Sequence, residues 1–243
     1  MNEIPQTLVV SQPMFLPWYG LFEQIRLADF YVHYDDVQLP QGRSFSSRVQ
    51  LKTANGVIWL TTPIDRTNSG KNINDTVLLD KKNWCNKHLK IIRHDYAKAP
   101  HFDLMFDLVS EVYQQKTSNL SEFNIFAIER LAKFLGLSPI FKLSSEIGVR
   151  GSGTQRLVDI CSHMQCNNYV TGHGAIRYLK HEEFEEHDIS VSYMDYKKKP
   201  YRQMYGEFTP YVSIIDAIAN CGNGARDLLC SESTYWRNFN GVT

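Results

Sequence analysis

The sequence predicts an α/β fold with a mostly parallel sheet, helices on both faces and an α-helical insertion in the middle of the chain. Three observations support this prediction. An apolar run, a helical pattern and a second apolar run follow one another within the first 36 residues, which is the order of a parallel βαβ unit. Strand-like and helical patterns alternate again after residue 140. Between these halves, residues 82–136 are helical in pattern.

The individual elements follow from apolar spacing and from turn residues. The first strand is predicted at residues 7–11, and Pro17 then stands in the first turn of a helix, where proline is tolerated. The second strand is predicted at residues 30–34. The later elements are two strands at 49–52 and 57–62 joined by an Asn-Gly turn, a polar loop at 65–75, helices at 82–98, 102–115 and 121–135, a strand at 140–143, a helix at 154–165, a strand at 168–171, a helix at 175–187, a strand at 190–193 and a helix at 212–220.

Length and composition are typical of one globular domain, which we expect to span residues 1–243 with residues 82–136 as an insertion. The 26 basic side chains balance the 26 acidic ones, so nucleic acid is not an expected partner.

No apolar run approaches the roughly 20 residues that a membrane-spanning helix needs. Residues 1–10 do not resemble a signal peptide, and we expect a cytoplasmic location. The five scattered cysteines predict reduced thiols, and their spacing favours neither a disulfide framework nor a zinc site. The oligomeric state stays open.

The loop after the first strand is a candidate binding segment. In open α/β sheets, ligands bind beyond the carboxyl ends of strands, where helix N-termini present free N–H groups. Gln12 and Trp18 offer an amide and an indole there, and Pro13 and Pro17 restrict the backbone between them. The loop is not the glycine-rich pattern of dinucleotide folds. The alternative interpretation is that its apolar side chains only fill the core.

Polar side chains also follow the second strand. The carboxylates of Asp35 and Asp36 are candidates for a general base or for a Mg²⁺ ligand beside phosphates. The arginines at positions 43 and 48 are candidates for binding phosphate or carboxylate. The candidates in this region are His33, Asp35, Asp36, Gln38, Arg43 and Arg48. The alternative is that the aspartates form a turn or a helix cap.

A third candidate, Gly172-His173-Gly174, follows a predicted strand and precedes a helix. Flanking glycines let the backbone approach a ligand closely, and His173 is suited to proton transfer or phosphate binding. A structural histidine is the alternative. The glycine-containing turn at residues 148–155, with Arg156 next to it, is a weaker candidate for binding an anion.

The chain closely resembles the WbqC-like family. The resemblance covers nearly the whole length at the segments SQPMFLPWYGLFEQI, VHYDDVQ, QLKTANGVIWLTTPI, KNWCNKHLK and GEFTPYVSIIDAIANCG, and the combination of QP-x-F-x-PW-x-G with DDVQ is specific to that family. Genes of the family occur in bacterial clusters for O-antigen (lipopolysaccharide) and related surface glycans. One role that the resemblance implies is the attachment of glycine or another acyl group to a nucleotide-linked 4-amino-4,6-dideoxy sugar.

That role leads to specific expectations for the candidate residues. Gln12, Trp18 and the following helix would hold a nucleotide or an activated donor, Asp35 or Asp36 would act as base or metal ligand, and His173 would transfer a proton or contact an oxyanion. Arg43 or Arg48 would bind phosphate. The strand, loop and helix at the N-terminus are also similar in order to the start of ATP-dependent adenylating ligases, which leaves ATP and Mg²⁺ possible, although no His-x-Gly-His follows the first strand. A glycosyltransferase and a non-catalytic binding protein of the glycan machinery remain alternatives.

Overall fold

The computed structural model describes residues 6–65 and 70–240, and it confirms the predicted α/β fold. The strands are β1 (Thr7–Ser11), β2 (Phe30–His33), β3 (Arg48–Thr53), β4 (Gly56–Thr61), β5 (Ile140–Leu143), β6 (Asn168–Thr171), β7 (Ser190–Met194) and β8 (Ser233–Tyr235). The helices are α1 (Tyr19–Leu27), α2 (Lys81–Tyr96), α3 (Phe102–Tyr113), α4 (Leu120–Phe134), α5 (Ser144–Ile147), α6 (Gly153–His163), α7 (His181–Glu185) and α8 (Ile214–Cys221). Four short 3₁₀ turns complete the fold, at Ile73–Asp75, His173–Arg177, Gly222–Leu228 and Trp236–Asn238.

Six strands form one sheet in the order β5-β2-β1-β6-β7-β8. The first five are parallel to one another, and β8 is antiparallel to β7. The strands β3 and β4 form a separate antiparallel hairpin, as the Asn-Gly turn predicts. The sheet is therefore mostly parallel, and helical crossovers join β1 to β2 and β6 to β7.

Helices cover both faces of this sheet, because the side chains of its strands alternate between two apolar clusters. Val9 belongs to the cluster that contains α1, the helices α2–α4 and α8, whereas Leu8 and Val10 belong to the cluster that contains α6 and α7. The helices at residues 81–134, which correspond to the expected insertion, share the first cluster with β1 and α1.

The connections leave the middle of the sheet in opposite directions. From β1 the chain passes through α1 to β2 on one side, and from β6 it passes through α7 to β7 on the other side. Two neighbouring parallel strands whose connections diverge leave a crevice at their carboxyl ends, which is where α/β proteins bind ligands. In this chain that crevice lies between the ends of β1 and β6.

Two elements differ from the prediction. The prediction of one helix over residues 175–187 is wrong, because the structure has a 3₁₀ turn at His173–Arg177 and then the separate short helix α7. The chain leaves the helical path at Tyr178, whose φ is −131°, and the backbone N–H of Lys180 then donates to the hydroxyl of Thr154 at 3.2 Å. The edge strand β8 has no predicted counterpart, since three residues are too few for a period-2 pattern. Part of the loop predicted at 65–75, residues 66–69, lies outside the described residues.

Two further expectations concern the chain as a whole. None of the helices within residues 6–65 and 70–240 combines the length and the apolar character needed to cross a bilayer. All five cysteines are free thiols, as predicted, and three of them are buried.

Candidate functional site

A cleft of about 830 Å³ lies at the carboxyl ends of β1 and β6, at the point where the connections diverge. It contains two of the predicted segments, the loop after β1 and the glycine-flanked histidine after β6. Of the residues that follow β2, Tyr34 and Phe45 line it, and neither was a predicted site residue. The lining residues are Val10, Ser11, Gln12, Met14, Trp18, Leu21, Gln24, Tyr34, Phe45, Leu157, Tyr169, Thr171, Gly172, His173, Gly174, Ala175, Tyr178, Tyr196, Lys198 and Tyr211. We call this space the main cleft.

The loop at residues 12–18 is held rigidly along one side of the main cleft. Its contacts are Phe15 N to Phe45 O (2.9 Å), Ser213 Oγ to Leu16 O (2.7 Å) and Ile214 N to Pro17 O (2.9 Å). Leu16 is fully buried and has a positive φ of 39°, a conformation that costs a non-glycine residue of the order of 1–3 kcal/mol. The surrounding hydrogen bonds and burial keep this backbone in place, so the loop presents a fixed wall to a ligand.

Aromatic rings form much of that wall. The indole of Trp18 packs against Tyr196 and Tyr211, with ring centroids 5.3 and 5.7 Å apart. It also folds over the start of α1, where a Cβ at Gly20 would lie 2.2 Å from the indole carbon Cζ2. A residue larger than glycine at position 20 would push the indole away. Flat aromatic faces of this kind suit sugar rings and nucleobases.

His173 lies just after β6, next to Tyr196 of the aromatic wall, and its tautomer is defined by a neighbouring strand. Its Nε2 atom is 2.5 Å from the carbonyl oxygen of Met194. Because a carbonyl oxygen only accepts, Nε2 carries the proton and the neutral ring has its lone pair on Nδ1. The ring is packed between Tyr196 and Phe239, with centroid distances of 5.1 and 5.0 Å. The arrangement suits Nδ1 for accepting a proton or a hydrogen bond from a ligand.

Gly172 is required by a close approach next to His173. A Cβ at this position would lie 2.8 Å from the hydroxyl oxygen of Tyr196 and 3.1 Å from Nε2 of Gln24. These two side chains are themselves joined, since Gln24 donates to the Tyr196 hydroxyl at 2.5 Å. Burial raises the pKa of Tyr196 to about 12. The hydroxyl therefore stays protonated at neutral pH and keeps its own O–H as a donor.

The charges around the main cleft favour an anionic ligand. Among the described residues that line it there is no carboxylate, and Lys198 carries the one formal positive charge. The Lys198 ammonium donates to the hydroxyl of Tyr211 at 2.7 Å, which places the positive charge at the aromatic wall. A phosphate group would meet attraction and no like-charge repulsion there.

Asp35 and Asp36, which the sequence suggests as catalytic carboxylates, are not among the residues that line the main cleft. Asp35 is 3% exposed, and its oxygens accept from the Ser145 backbone N–H (3.0 Å) and hydroxyl (2.7 Å) and from the Ser144 hydroxyl (3.0 Å). Asp36 forms an ion pair with Arg156 at 2.6 Å. These contacts secure the first turn of α5 and the start of α6, which favours a structural role for both carboxylates.

The ion pair also explains the weaker anion-binding candidate. Arg156 is 5% exposed, and its guanidinium lies over the ring of Tyr34 at 4.9 Å from the ring centroid. The guanidinium is thus occupied by Asp36 and Tyr34, and it supports the wall of the main cleft from behind. Within the described residues, no group of three or more His, Cys, Asp or Glu side chains is arranged to hold a metal ion.

The other predicted residues lie apart from the main cleft. His33 is completely buried, stacks on Phe141 and places Nε2 3.2 Å from the carboxylate of Glu129. Gln38 and Arg43 are exposed, and neither lines the main cleft. Buried Pro13 contributes its carbonyl oxygen, which accepts from the Asn124 amide at 3.2 Å. Arg48 lines a neighbouring apolar pocket instead.

The structure thus brings together Gln12, Trp18, Gly172, His173 and Gly174. It adds residues that sequence reasoning did not place in a site: Gln24, Tyr34, Tyr169, Thr171, Tyr178, Tyr196, Lys198 and Tyr211. A signal existed for some of them. Trp18, Leu21 and Gln24 follow one another at three-residue spacing, which puts them on one helical face, and Thr171 ends the strand that leads to His173. Tyr178 carries no comparable signal.

Comparison with known proteins identifies the family. The family model described as "WbqC-like protein family" matches residues 12–228. The chain belongs to the WbqC-like family. The match spans all residues that line the main cleft except Val10 and Ser11. The main cleft is therefore a feature of the part of the chain that carries the family pattern.

The alignment with one curated relative shows how much of this WbqC-like protein is similar to another chain. The chain is 30% identical over 225 residues to the "Uncharacterized protein Rv1507c" of Mycobacterium tuberculosis (strain ATCC 25618 / H37Rv), and the alignment covers 91% of this chain and 96% of the relative. The two proteins are thus similar over almost their entire lengths. No solved structure matches the chain significantly.

Proposed function

We propose that this WbqC-like protein is a surface-glycan biosynthesis enzyme that binds a nucleotide-linked amino sugar in the main cleft and transfers an aminoacyl or acyl group to the sugar amine. The observation that carries the proposal is the meeting of Trp18, Tyr196 and His173 in one cleft at the switch point of the sheet. Family membership supports a glycan-related role. The aromatic wall suits the sugar or base, and Lys198 suits a phosphate.

The chemistry needs a neutral amine and a proton acceptor. The amine nitrogen attacks the carbonyl carbon of an activated acyl donor, the C–N bond forms, and the bond from that carbon to the leaving group breaks with its electron pair. The nitrogen loses one proton, which Nδ1 of His173 accepts and passes to the leaving group. The lining of the main cleft contains no carboxylate that would stabilise the amine as an ammonium ion. The Tyr196 hydroxyl is a donor available to the developing oxyanion.

The roles of Asp35 and Asp36 are revised in this proposal. Both carboxylates accept hydrogen bonds from residues near the start of α5 and α6, so we assign them to positioning these helices rather than to proton transfer. A glycosyltransferase mechanism would use strand-end carboxylates with a metal ion, and the contacts of these two aspartates favour it less. A binding protein without activity would share the cleft but show no turnover.

The experiment is mass spectrometry of the purified full chain with a nucleotide-linked 4-amino-4,6-dideoxy sugar, glycine, ATP and Mg²⁺. A parallel reaction contains acetyl-CoA in place of glycine and ATP. A product heavier by one glycyl group, with ATP consumed, supports an ATP-dependent ligase, and an acetylated product supports a CoA-dependent acyltransferase. The matched control is the His173→Ala variant, which should bind the sugar nucleotide and form little product.

The proposal fails if neither these reactions nor one supplied with butyryl-CoA changes the sugar nucleotide while the compound still protects the protein against thermal unfolding. That result would support a non-catalytic binding protein. Transfer of the sugar to a lipid-linked acceptor, measured in the same way, would instead support the glycosyltransferase.

A further inference from the structure

A second pocket lies beside the main cleft and differs from it in character. It has a volume of about 400 Å³ and is lined by apolar and aromatic side chains from the loop after β1 and from the hairpin β3–β4. Its deepest residues are Phe15 and Val49, which are 0% and 4% exposed. We call this space the apolar pocket. Its size is at the lower end of the range for small-molecule sites.

The apolar pocket is continuous with the main cleft. Met14, Trp18, Phe45 and Tyr211 line both spaces, so the two share a rim. A molecule seated across this rim would have one end in the apolar pocket and the other beside the amine that the main cleft is proposed to hold. This geometry fits the second substrate of a group-transfer reaction.

The outer wall consists of large apolar side chains that remain exposed. Phe45 and Trp59 are 56% and 38% exposed, and their rings contact each other at a centroid distance of 6.2 Å. Exposed aromatic residues around a concave apolar surface are typical of a site that an apolar ligand covers. This apolar surface remains exposed to water in the folded protein, and a bound apolar ligand would remove it from water.

One charged group lies in the lining of the apolar pocket. The guanidinium of Arg48, on a half-buried side chain, lies 3.8 Å from the ring centroid of Trp59. A guanidinium carries several N–H donors, and an oxygen atom on a ligand can accept from them. The ligand is therefore expected to be apolar along most of its length and to carry an oxygen acceptor.

We propose that the apolar pocket binds the acyl chain of the donor, so that the transferred group is an apolar acyl group larger than acetyl or glycyl. An acyl oxygen of this donor accepts a hydrogen bond from Arg48. The identification of the ligand as the acyl donor rests on the proposed function. The binding site itself is inferred from the shared rim and the apolar lining. An apolar acyl donor is the substrate class that the mass-spectrometric experiment above leaves open. The group transfer itself proceeds through the same bond changes.

The test is isothermal titration calorimetry of the full chain with sodium acetate, butyrate, hexanoate and octanoate. Each methylene that enters the apolar pocket should lower the Kd about fourfold, which amounts to about 15-fold from butyrate to hexanoate. The Trp59→Ala variant removes one wall and should raise the Kd for hexanoate about tenfold. The matched control is Val57→Ala: Val57 lies on the same strand, is 44% exposed and does not line the apolar pocket, so this variant should bind hexanoate like the unaltered protein.

Equal Kd values for butyrate and hexanoate would overturn the inference, and so would equal losses in the Trp59→Ala and Val57→Ala variants. The titration needs no turnover, so its outcome is separable from that of the proposed function. Glycyl or acetyl transfer without chain-length-dependent binding would overturn the proposal that the apolar pocket binds an acyl chain, and it would leave the proposed reaction supported. Chain-length-dependent binding together with a preference for butyryl-CoA over acetyl-CoA, reduced in Trp59→Ala, supports both.

Discussion

The imidazole of His173 donates a hydrogen bond from Nε2 to the carbonyl oxygen of Met194, the last residue of β7. The contact joins the turn after β6 to the neighbouring strand and orients the ring toward the main cleft. It has a chemical consequence as well, because the proton on Nε2 leaves the basic lone pair on Nδ1. A histidine that the sequence shows only as flanked by glycines is thus held in one orientation and one tautomer by backbone from another strand.

A first prediction concerns Gly172 and the restricted space around it. Gly172→Ala places a methyl group 2.8 Å from the Tyr196 hydroxyl oxygen, and the hydrogen bond between Tyr196 and Gln24 must shift to accommodate it. We expect the free energy of unfolding to fall by about 1–3 kcal/mol, as is typical of overpacking, and the affinity for a sugar nucleotide to fall with it. Urea unfolding and calorimetric titration measure the two effects.

Gly174→Ala is the matched control for that variant. A Cβ at Gly174 meets no atom within 4 Å, and its φ lies outside the left-handed region. Stability should change by less than about 0.5 kcal/mol. Equal losses in the two variants would contradict the view that the contact with Tyr196 is what requires glycine at position 172.

The contacts of Asp35 make a second prediction. The Ser145 N–H donates to Oδ1 of Asp35 and the Ser145 hydroxyl donates to Oδ2, and Asp35→Asn replaces one of these two oxygens by an NH₂ group, so at least one donor loses its partner. We expect a loss of about 1–3 kcal/mol in the free energy of unfolding. The kcat of the folded variant should stay within a factor of about three, since the side chain does not line the main cleft. Chemical denaturation and turnover under native conditions provide the two measurements.

Exposed Asp107 on α3 offers the matched substitution, because Asp107→Asn changes the same charge without disturbing a buried contact. Its stability should equal that of the unaltered protein to within about 0.5 kcal/mol. A loss of kcat in Asp35→Asn by two orders of magnitude or more, with stability unchanged, would restore the catalytic role that the sequence suggests.

Buried His88 makes a third prediction, about pH. Burial lowers the pKa of His88 from 6.5 to about 4, and the ring is paired with the Tyr113 hydroxyl at 2.9 Å. Below pH 6.5 the unfolded chain binds a proton at this residue, whereas the folded chain does not until about pH 4. Folding stability from this group is therefore complete above pH 6.5 and falls as the pH falls toward 4, by about 3 kcal/mol in all.

The measurement is the free energy of unfolding between pH 4.5 and 7.5 for the unaltered protein and for His88→Gln, which does not titrate there. The variant should be less stable at pH 7 but less dependent on pH. His94→Gln is the control, since the His94 side chain is 85% exposed, and it should keep the pH dependence of the unaltered protein. Parallel curves for the unaltered protein and His88→Gln would contradict the assignment.

Local patterns were sufficient to predict most of the fold. The predicted bounds of β1, β5 and β6 coincide with the observed ones, because short apolar runs end at proline, serine or glycine. The helix predicted at 175–187 failed because the Thr154 hydroxyl, a non-local partner, takes the Lys180 N–H. Local periodicity carries no information about such a partner.

The candidate site was predictable only in part for the same reason. Gln12, Trp18 and His173 follow from the rule that ligands bind at the carboxyl ends of parallel strands. Asp35 and Asp36 satisfy the same rule, yet their hydrogen-bond partners Ser144 and Arg156 lie more than 100 positions later in the chain. A carboxylate that positions a helix and one that accepts a substrate proton look alike in sequence, and their partners distinguish them.

The tautomer of His173 makes a fourth prediction, which separates proton transfer from packing. His173→Ala removes the proposed base, and we expect kcat for the proposed acyl transfer to fall by about 10²- to 10⁴-fold. His173→Gln retains an N–H that can reach the Met194 carbonyl but offers no basic lone pair, so stability and sugar-nucleotide affinity should stay near those of the unaltered protein while kcat falls as far as in the alanine variant. Added imidazole should restore part of the activity of His173→Ala, because it can occupy the vacated space and accept the proton. His187→Ala, at an exposed histidine bonded to the Glu183 carbonyl, should leave kcat unchanged with or without imidazole. If His173→Gln were fully active, or if imidazole had no effect on His173→Ala, the histidine would act through packing and another group would accept the proton.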